Sequence, residues 1–503
     1  MDPRPAHYTS ATHEVVVIAL VCMGQFLSQV GVTMILSTMN ILIHSFASNS
    51  SEIDQSKTVW FMGSFALTVG TFILLSGRLG DLFGLKLVFC IGWFWTAIWS
   101  LVCGLSVFSN SVTFFIVSRA FQGIGFALVL PCGMGILGNT YPNGPRKNLA
   151  FGCVGANGPT GATIGALMAA VIGQKSWWPW EFWILAIVSG LIGLLSVFMI
   201  PSNLNPNKYT LREAWDKLDV IGSLVGIVGL ILFNFVWNQG PVVGWSTPYI
   251  IALLIVSVLF IVLFFYLQLN VLEHPLLPKS IFTVKIGLVL AIVCLGWGSF
   301  GVWQYYYWKI MLNLRQYTPI MTSLTYIPFL VFGIMASMIV SFIISRTKPS
   351  YIICFSAICF TAGCLMLSVT PVHQSYFQLT MGQMFILCWA MDMSFPAASI
   401  ILSDYLPASS QGMAGSLVAT VINYGVSLFL GISSTVEIET SEHSTTLQSY
   451  RSALYFGTGV AVLGVVFSVV FIIIQFSDEK GTLVNKEKDL ELSSSEEYVM
   501  DLE

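Results

Sequence analysis

The sequence predicts an all-α polytopic membrane protein of fourteen transmembrane helices: two six-helix halves with two helices inserted between them. Three observations carry this. Of 503 residues, 56% are hydrophobic and only 9% charged, with a mean hydropathy of +0.81. A soluble globular chain carries about 25% charged residues, so this one lacks the polar surface to stay in water. Apolar runs close to the roughly 20 residues that cross a hydrocarbon core as a helix recur along the chain. Finally, the sequence repeats itself: "LVLPCGMGILGNTYP" (128–142) aligns with "SFPAASIILSDYLP" (394–407), so that Pro131 pairs with Pro396 and Pro142 with Pro407 at one offset of 265.

The first six spans lie near 15–38, 58–76, 86–107, 112–138, 149–173 and 182–200. Two more lie near 218–237 and 248–270, and the last six near 286–308, 322–344, 351–369, 376–402, 412–435 and 453–475. Runs this long and continuous form helices rather than the short alternating strands of a membrane barrel. The same offset carries spans 1–6 onto spans 9–14, so the halves are parallel repeats. The chain therefore divides into a tail (1–14), a six-helix half (15–200), a linker with the inserted pair (201–285), a second half (286–475) and a tail (476–503). That last tail, ending "ELSSSEEYVMDLE", is acidic and serine-rich and reads as disordered.

An even number of spans puts both ends on one side. With that side cytoplasmic, fifteen of the 21 Lys and Arg residues fall in inner segments and five in outer loops, with Arg119 inside a span. The bias follows the positive-inside rule. The sequon Asn49-Ser50-Ser51 then falls in the first outer loop, where glycosylation can reach Asn49.

Other counts exclude function classes. All ten cysteines fall within predicted spans, so no outer disulfide framework is expected. Cys354, Cys359 and Cys364, five apart, turn away from one another on a helix and predict no metal site. The six histidines lie in tails, loops and span ends, with no buried relay. No His-Glu-x-x-His pair and no intramembrane aspartate pair points to an enzyme, and a net charge of −3 points to no nucleic-acid partner. No cofactor is expected.

One link concentrates what the spans lack. "SGRLGDLFGLK" (76–86), between spans 2 and 3, packs Gly77, Gly80 and Gly84 together with Arg78, Asp81 and Lys86. Its glycines allow a tight turn. Asp81 is placed to cap the start of span 3 through its carboxylate, and Arg78 and Lys86 to anchor the topology.

Six plus six parallel spans with such a link resemble the major facilitator superfamily. The link matches that family's first motif at Gly77, Leu79, Asp81, Gly84 and Lys86. "SRAFQGIG" (118–125) resembles the span-4 motif at Arg119, Gln122 and Gly123, and "GANGPTGATIG" (155–165) the span-5 antiporter motif at Gly158 and Pro159. "EHPLLPKSIF" (273–282) is similar to the fourteen-span drug:proton antiporter branch. "MDMSFPAASIILSD" (391–404) is similar to its fungal subgroup of aminotriazole-resistance, boron-efflux and ammonium-facilitator proteins. The resemblance implies that the link is a conformational latch (Gly77, Arg78, Asp81, Gly84, Lys86) between the halves. A monomer in the plasma membrane is expected, with the vacuolar membrane as the alternative.

Charge inside a bilayer is costly, about 2.5–3.5 kcal/mol at a helix centre, and marks function. Arg119 and Asp392 are the two ionisable residues well inside predicted spans, and the repeat places them on corresponding helices 4 and 12. Gln25, Gln29, Asn157, Gln304 and Asn423 complete a polar transport path, Gln25 and Gln29 sharing a face one turn apart. The run "WQYYYW" (303–308) reads as an aromatic interfacial belt. "FLSQVGVT" (26–33) lacks the acid that many fourteen-span antiporters carry in span 1, which leaves Asp392 as the proton carrier.

The expectation is a secondary active transporter moving small solutes by alternating access, coupled to protons and expelling toxic compounds. The alternatives are a facilitator of a small polar solute such as ammonium without proton coupling, and a transporter-like receptor.

Overall fold

The computed structural model describes the chain except residues 1–4, 6, 48–54, 142–143, 203–211, 214–216, 273–274, 345, 407–412 and 501–503. Asn49, Pro142 and Pro407 lie outside the described residues. The first half consists of α1 (Ala11–Ala47), α2 (Val59–Phe83), α3 (Leu85–Leu105), α4 (Val112–Thr140), α5 (Pro145–Lys175) and α6 (Pro179–Met199). The inserted pair is α7 (Val220–Val243) and α8 (Pro248–Tyr266). The second half consists of α9 (Val284–Lys309), α10 (Ile327–Ile343), α11 (Pro349–Val369), α12 (Met381–Tyr405), α13 (Met413–Ser441) and α14 (Thr446–Met500). A one-turn helix, Pro319–Leu324, leads into α10. Strands are absent among the described residues.

Thirteen of these fourteen are long and apolar enough to cross a membrane. The exception is α5, whose glycines, Asn157 and Thr160 dilute its hydropathy. The same residues let it lie tightly on α1: a Cβ on Gly165 would stand 2.6 Å from the Val30 backbone, and one on Gly161 would strike the Phe26 carbonyl. In a bilayer, close approach of backbones substitutes for the missing hydrophobic drive.

The repeat is visible in which helices touch. In the first half α1 packs on α5, α2 on α4, and α3 on both α4 and α6. In the second, α9 packs on α13, α10 on α12, and α11 on both α12 and α14. The halves meet along two seams, α2 with α13 and α5 with α10, related by the same exchange. Of the inserted pair, α7 packs on α8 and lies against both α2 and α13, while α8 faces mostly outward.

Several expectations are corrected. Asp81 belongs to the last turn of α2, exposed, and does not cap α3: Gly84, at φ +112, occupies that position with no side-chain cap. The helix simply runs further than the glycines imply, and only Gly84 needs the left-handed region. Residues 303–308 form no interfacial belt, since Trp303, Tyr305, Tyr306, Tyr307 and Trp308 are all buried. Protein surrounds α9 there on every side, so no face reaches the lipid headgroups. The backbone of α14 runs helical to Met500. Extending a helix already nucleated by a packed span is far easier than starting one.

Candidate functional site

The link between α2 and α3 places Gly77 on a seam between the halves. Gly63, Gly70 and Gly77 recur every seven residues along α2 and meet α13. A Cβ at Gly70 would stand 2.5 Å from the backbone nitrogen of Tyr424, and one at Gly77 would stand 3.1 Å from the Ser416 hydroxyl. Arg78 donates to the Lys217 carbonyl at 3.4 Å, which ties the link to the segment before α7. Lys86 lies on the first turn of α3.

Arg119 is fully buried within the first half. Its Nη2 donates to the Gly31 carbonyl on α1 at 2.7 Å and its Nε to the Phe61 carbonyl on α2 at 3.4 Å. Nη1 donates to Gln122, whose own amide reaches Ser100 of α3 at 2.7 Å, and the guanidinium lies 4.6 Å above the Phe65 ring. The cation thus binds α1, α2 and α4 together, with α3 joined through Gln122. Each of these partners belongs to the first half.

Asp392 lies at the other contact, on α12. Pro159 of α5 abuts Gly333 of α10, with the Cys388 thiol of α12 beside them. Asp392 stands one turn after Cys388 and beside Ser337, itself one turn after Gly333. The Asp392 Oδ2 and the Ser337 hydroxyl are buried without hydrogen-bond partners. Pro396 has no N–H to give the Asp392 carbonyl four residues back, so that oxygen also lacks its helical donor. Gln25 reaches the same region: its amide nitrogen is 3.7 Å from where a Cβ on Gly158 would stand. Asp392, Ser337 and Pro159 therefore lie at one contact between the halves, and Gln25 reaches the neighbouring Gly158.

The remaining polar residues divide. Gln29, half-buried, follows Gln25 on α1. Gln304 is buried, and its amide approaches the Tyr326 hydroxyl at 3.5 Å. Asn157 and Asn423 spend their amide hydrogens on their own helices, at the Cys153 and Ala419 carbonyls.

The halves are clasped on the face away from the chain ends, called distal below. Thr58 bonds Tyr305 at 2.6 Å, Asn40 bonds Asn313 at 2.8 Å, and Ser323 donates to the Ala166 carbonyl at 3.0 Å. On the terminal face, Cβ atoms on Gly138, Gly152, Gly155, Gly287 and Gly415 would meet nothing within 4 Å. These positions on α4, α5, α9 and α13 are free of neighbouring protein atoms.

Sequence reasoning missed four charged side chains. Lys309 and Glu437 form an ion pair near the distal ends of α9 and α13. Glu181, buried in α6, accepts from Thr38 at 3.1 Å. Glu14, buried at the start of α1, pairs with Arg146 at 3.0 Å and accepts from Tyr141 at 2.7 Å. Each lies near a helix end, and the helices run several residues past their apolar runs, which brings these ends inside the bundle.

The family model of the Major Facilitator Superfamily matches residues 21–307. The chain is 45% identical to the aminotriazole resistance protein of Saccharomyces cerevisiae over 479 residues, 94% of this chain and 86% of that one. It is 40% identical to the low affinity ammonium transporter of the same yeast over 492 residues, 97% and 94% of the two chains. With the efflux pump terJ of Aspergillus terreus it shares 38% identity over 463 residues, 92% and 88% of the two. Fourteen helices, a paired repeat, two seams and these relatives agree: the chain belongs to the Major Facilitator Superfamily, as a multi-pass membrane transporter of small solutes.

Proposed function

We propose that this transporter expels toxic small molecules in exchange for protons, with Asp392 as the proton carrier. One observation carries the reading: a carboxyl with an unpartnered oxygen stands one turn from the Pro159–Gly333 contact between the halves. A proton arriving there alters the charge at the place where the halves must part, so that proton binding and rocking are coupled. Gln25, Gln29 and Gln304 offer hydrogen bonds to a polar solute along the same axis. The link holds the second seam: Gly77 allows α2 to rest on α13, and Arg78, Asp81, Gly84 and Lys86 shape the turn that moves with it. Arg119 acts through position, fixing α1 against α2 and α4. The direction of transport is supported by the relatives named for aminotriazole resistance and efflux. The terminal face is cytoplasmic on the charge bias, and the protein works as a monomer in the plasma membrane.

The test is transport of aminotriazole into inside-out vesicles under an imposed proton gradient. Gradient-driven accumulation supports the reading, and accumulation indifferent to the gradient removes the proton. A second reading, facilitated passage of ammonium without coupling, is favoured by the missing acid of span 1 and by the ammonium-transporting relative. Methylammonium equilibration without accumulation would support it.

A further inference from the structure

The Lys309 ammonium is 5% exposed and enclosed by a cation cage. It pairs with Glu437 and lies 4.6 Å from the Tyr450 ring centroid, 5.3 Å from Tyr305 and 5.6 Å from Tyr306. Tyr306 donates its hydroxyl to the second Glu437 oxygen at 2.7 Å. Three aromatic faces and one carboxylate are the groups that recognise an organic ammonium ion. Burying such a pair gains little stability over apolar side chains of equal volume, so stability alone gives no account of it.

The cage is joined to the distal clasp. Tyr305, one of its walls, bonds Thr58 of the first half. Tyr450, another wall, accepts from Asn313, which accepts from Asn40 of the first half at 2.8 Å. Beside this chain opens a crevice of about 630 Å³, lined by Asn40, His44, Gln174, Leu312 and Tyr317 among others. It offers a route from the distal face to the Asn40–Asn313 bond.

We propose that Lys309 is a tethered occupant of a site for small organic ammonium ions. An ammonium ion entering by the crevice competes with Lys309 for Glu437 and the rings. As the cage rearranges, Tyr305 leaves Thr58 and Asn313 leaves Asn40, and the distal face opens. The inference rests on the transporter reading and adds the class of solute that the distal face admits.

Thr163, fully buried behind the clasp, reports the opening. In the purified full chain carrying Thr163→Cys, maleimide labelling is read at position 163 by peptide mass spectrometry. Methylammonium chloride should raise the labelling rate about fivefold or more over sodium chloride at equal ionic strength, the lower end of coupling between linked sites. Glu437→Gln should abolish the difference. Equal rates in the two salts, or a difference that survives Glu437→Gln, overturn the proposal. Should Glu437→Gln fail to fold, Tyr450→Leu removes a cage wall and leaves the ion pair, and an undiminished methylammonium effect there also overturns it. Labelling needs neither flux nor a proton gradient. A protein that exports by proton exchange yet ignores methylammonium sinks this inference alone. One that responds to methylammonium but shows no gradient-driven transport sinks the coupling reading alone.

Discussion

Pro159 of α5 rests its ring on the bare backbone of Gly333 of α10, so closely that a Cβ on Gly333 would stand 2.6 Å from two of the ring carbons. The ring is held by its own backbone and cannot swing aside as the tip of a long side chain can. This contact joins the halves midway through the bundle, on the seam opposite the glycine stripe of α2. The two seams differ in kind. Along α2 and α13 glycines allow helix backbone to meet helix backbone, whereas along α5 and α10 a single ring fills the place of one absent side chain.

Gly333→Ala is therefore expected to reduce transport without reducing the protein in the membrane. Alanine is the better helix former by about 1 kcal/mol, but overpacking at this contact costs about 1–3 kcal/mol in the state with the distal face closed. Membrane-inserted protein and substrate flux, measured side by side, check this. Wild-type flux would mean that α5 and α10 separate freely at this level.

Arg119→Ala should lower the melting temperature along with transport. It strips a donor from the Gly31 carbonyl, the Phe61 carbonyl and the Gln122 amide, all inside the first half. The two carbonyls keep their own helical donors, but the Gln122 amide oxygen is left unpaired in the core, at a cost of about 1–3 kcal/mol. Arg119→Lys keeps the charge and can reach only some of these partners, so its melting point should fall between the two. A melting curve identical to wild type with transport gone would instead place Arg119 in direct contact with solute.

Much of this was readable from residues alone. The apolar runs located all fourteen helices, because a bilayer tolerates no other long unbroken apolar structure. The pair Pro131 and Pro396 located the repeat, and both stand inside the corresponding helices α4 and α12. Asp392 was conspicuous as an acid in an apolar run. Lys309 and Glu437 were not, because a charge near the end of a run reads as a loop residue until the helix is seen to continue past it. Nor does "WQYYYW" reveal its burial, since aromatic residues suit a lipid interface and a protein interior equally well. The stripe of Gly63, Gly70 and Gly77 is periodic in the sequence, yet only the position of α13 gives it meaning.

Asp81→Asn should leave the protein folded and inserted but slow its cycle. Asp81 is exposed on the last turn of α2, with Arg78 one turn before it and the Gly77–Ser416 contact on the same segment. Neutralising it removes the charge that faces Arg78 beside a seam that must open and close. Turnover in vesicles at saturating substrate is the measurement. Unchanged turnover would reduce the link to a turn that fixes topology.

Asp392→Asn tests the coupling itself. Asparagine has nearly the volume of the protonated acid, so the contact between Pro159, Gly333 and Cys388 should survive, and with it the fold. Asparagine also offers a donor to the Ser337 hydroxyl, as a protonated carboxyl would, and holds the site permanently neutral. If Asp392 carries the proton, the variant should still exchange substrate across the membrane, because neutral sites can rock. It should not accumulate substrate against a gradient, because no proton is exchanged in the cycle, and its transport should no longer vary with pH. Counterflow and gradient-driven uptake, each followed across pH in the same vesicles, separate these outcomes. A variant that keeps the wild-type pH profile, or still accumulates substrate, shows that the proton is carried elsewhere. Accumulation that persists turns the search to the other buried acids, Glu14 and Glu181, whereas a wild type that itself never accumulates substrate leaves the uncoupled facilitator as the better reading.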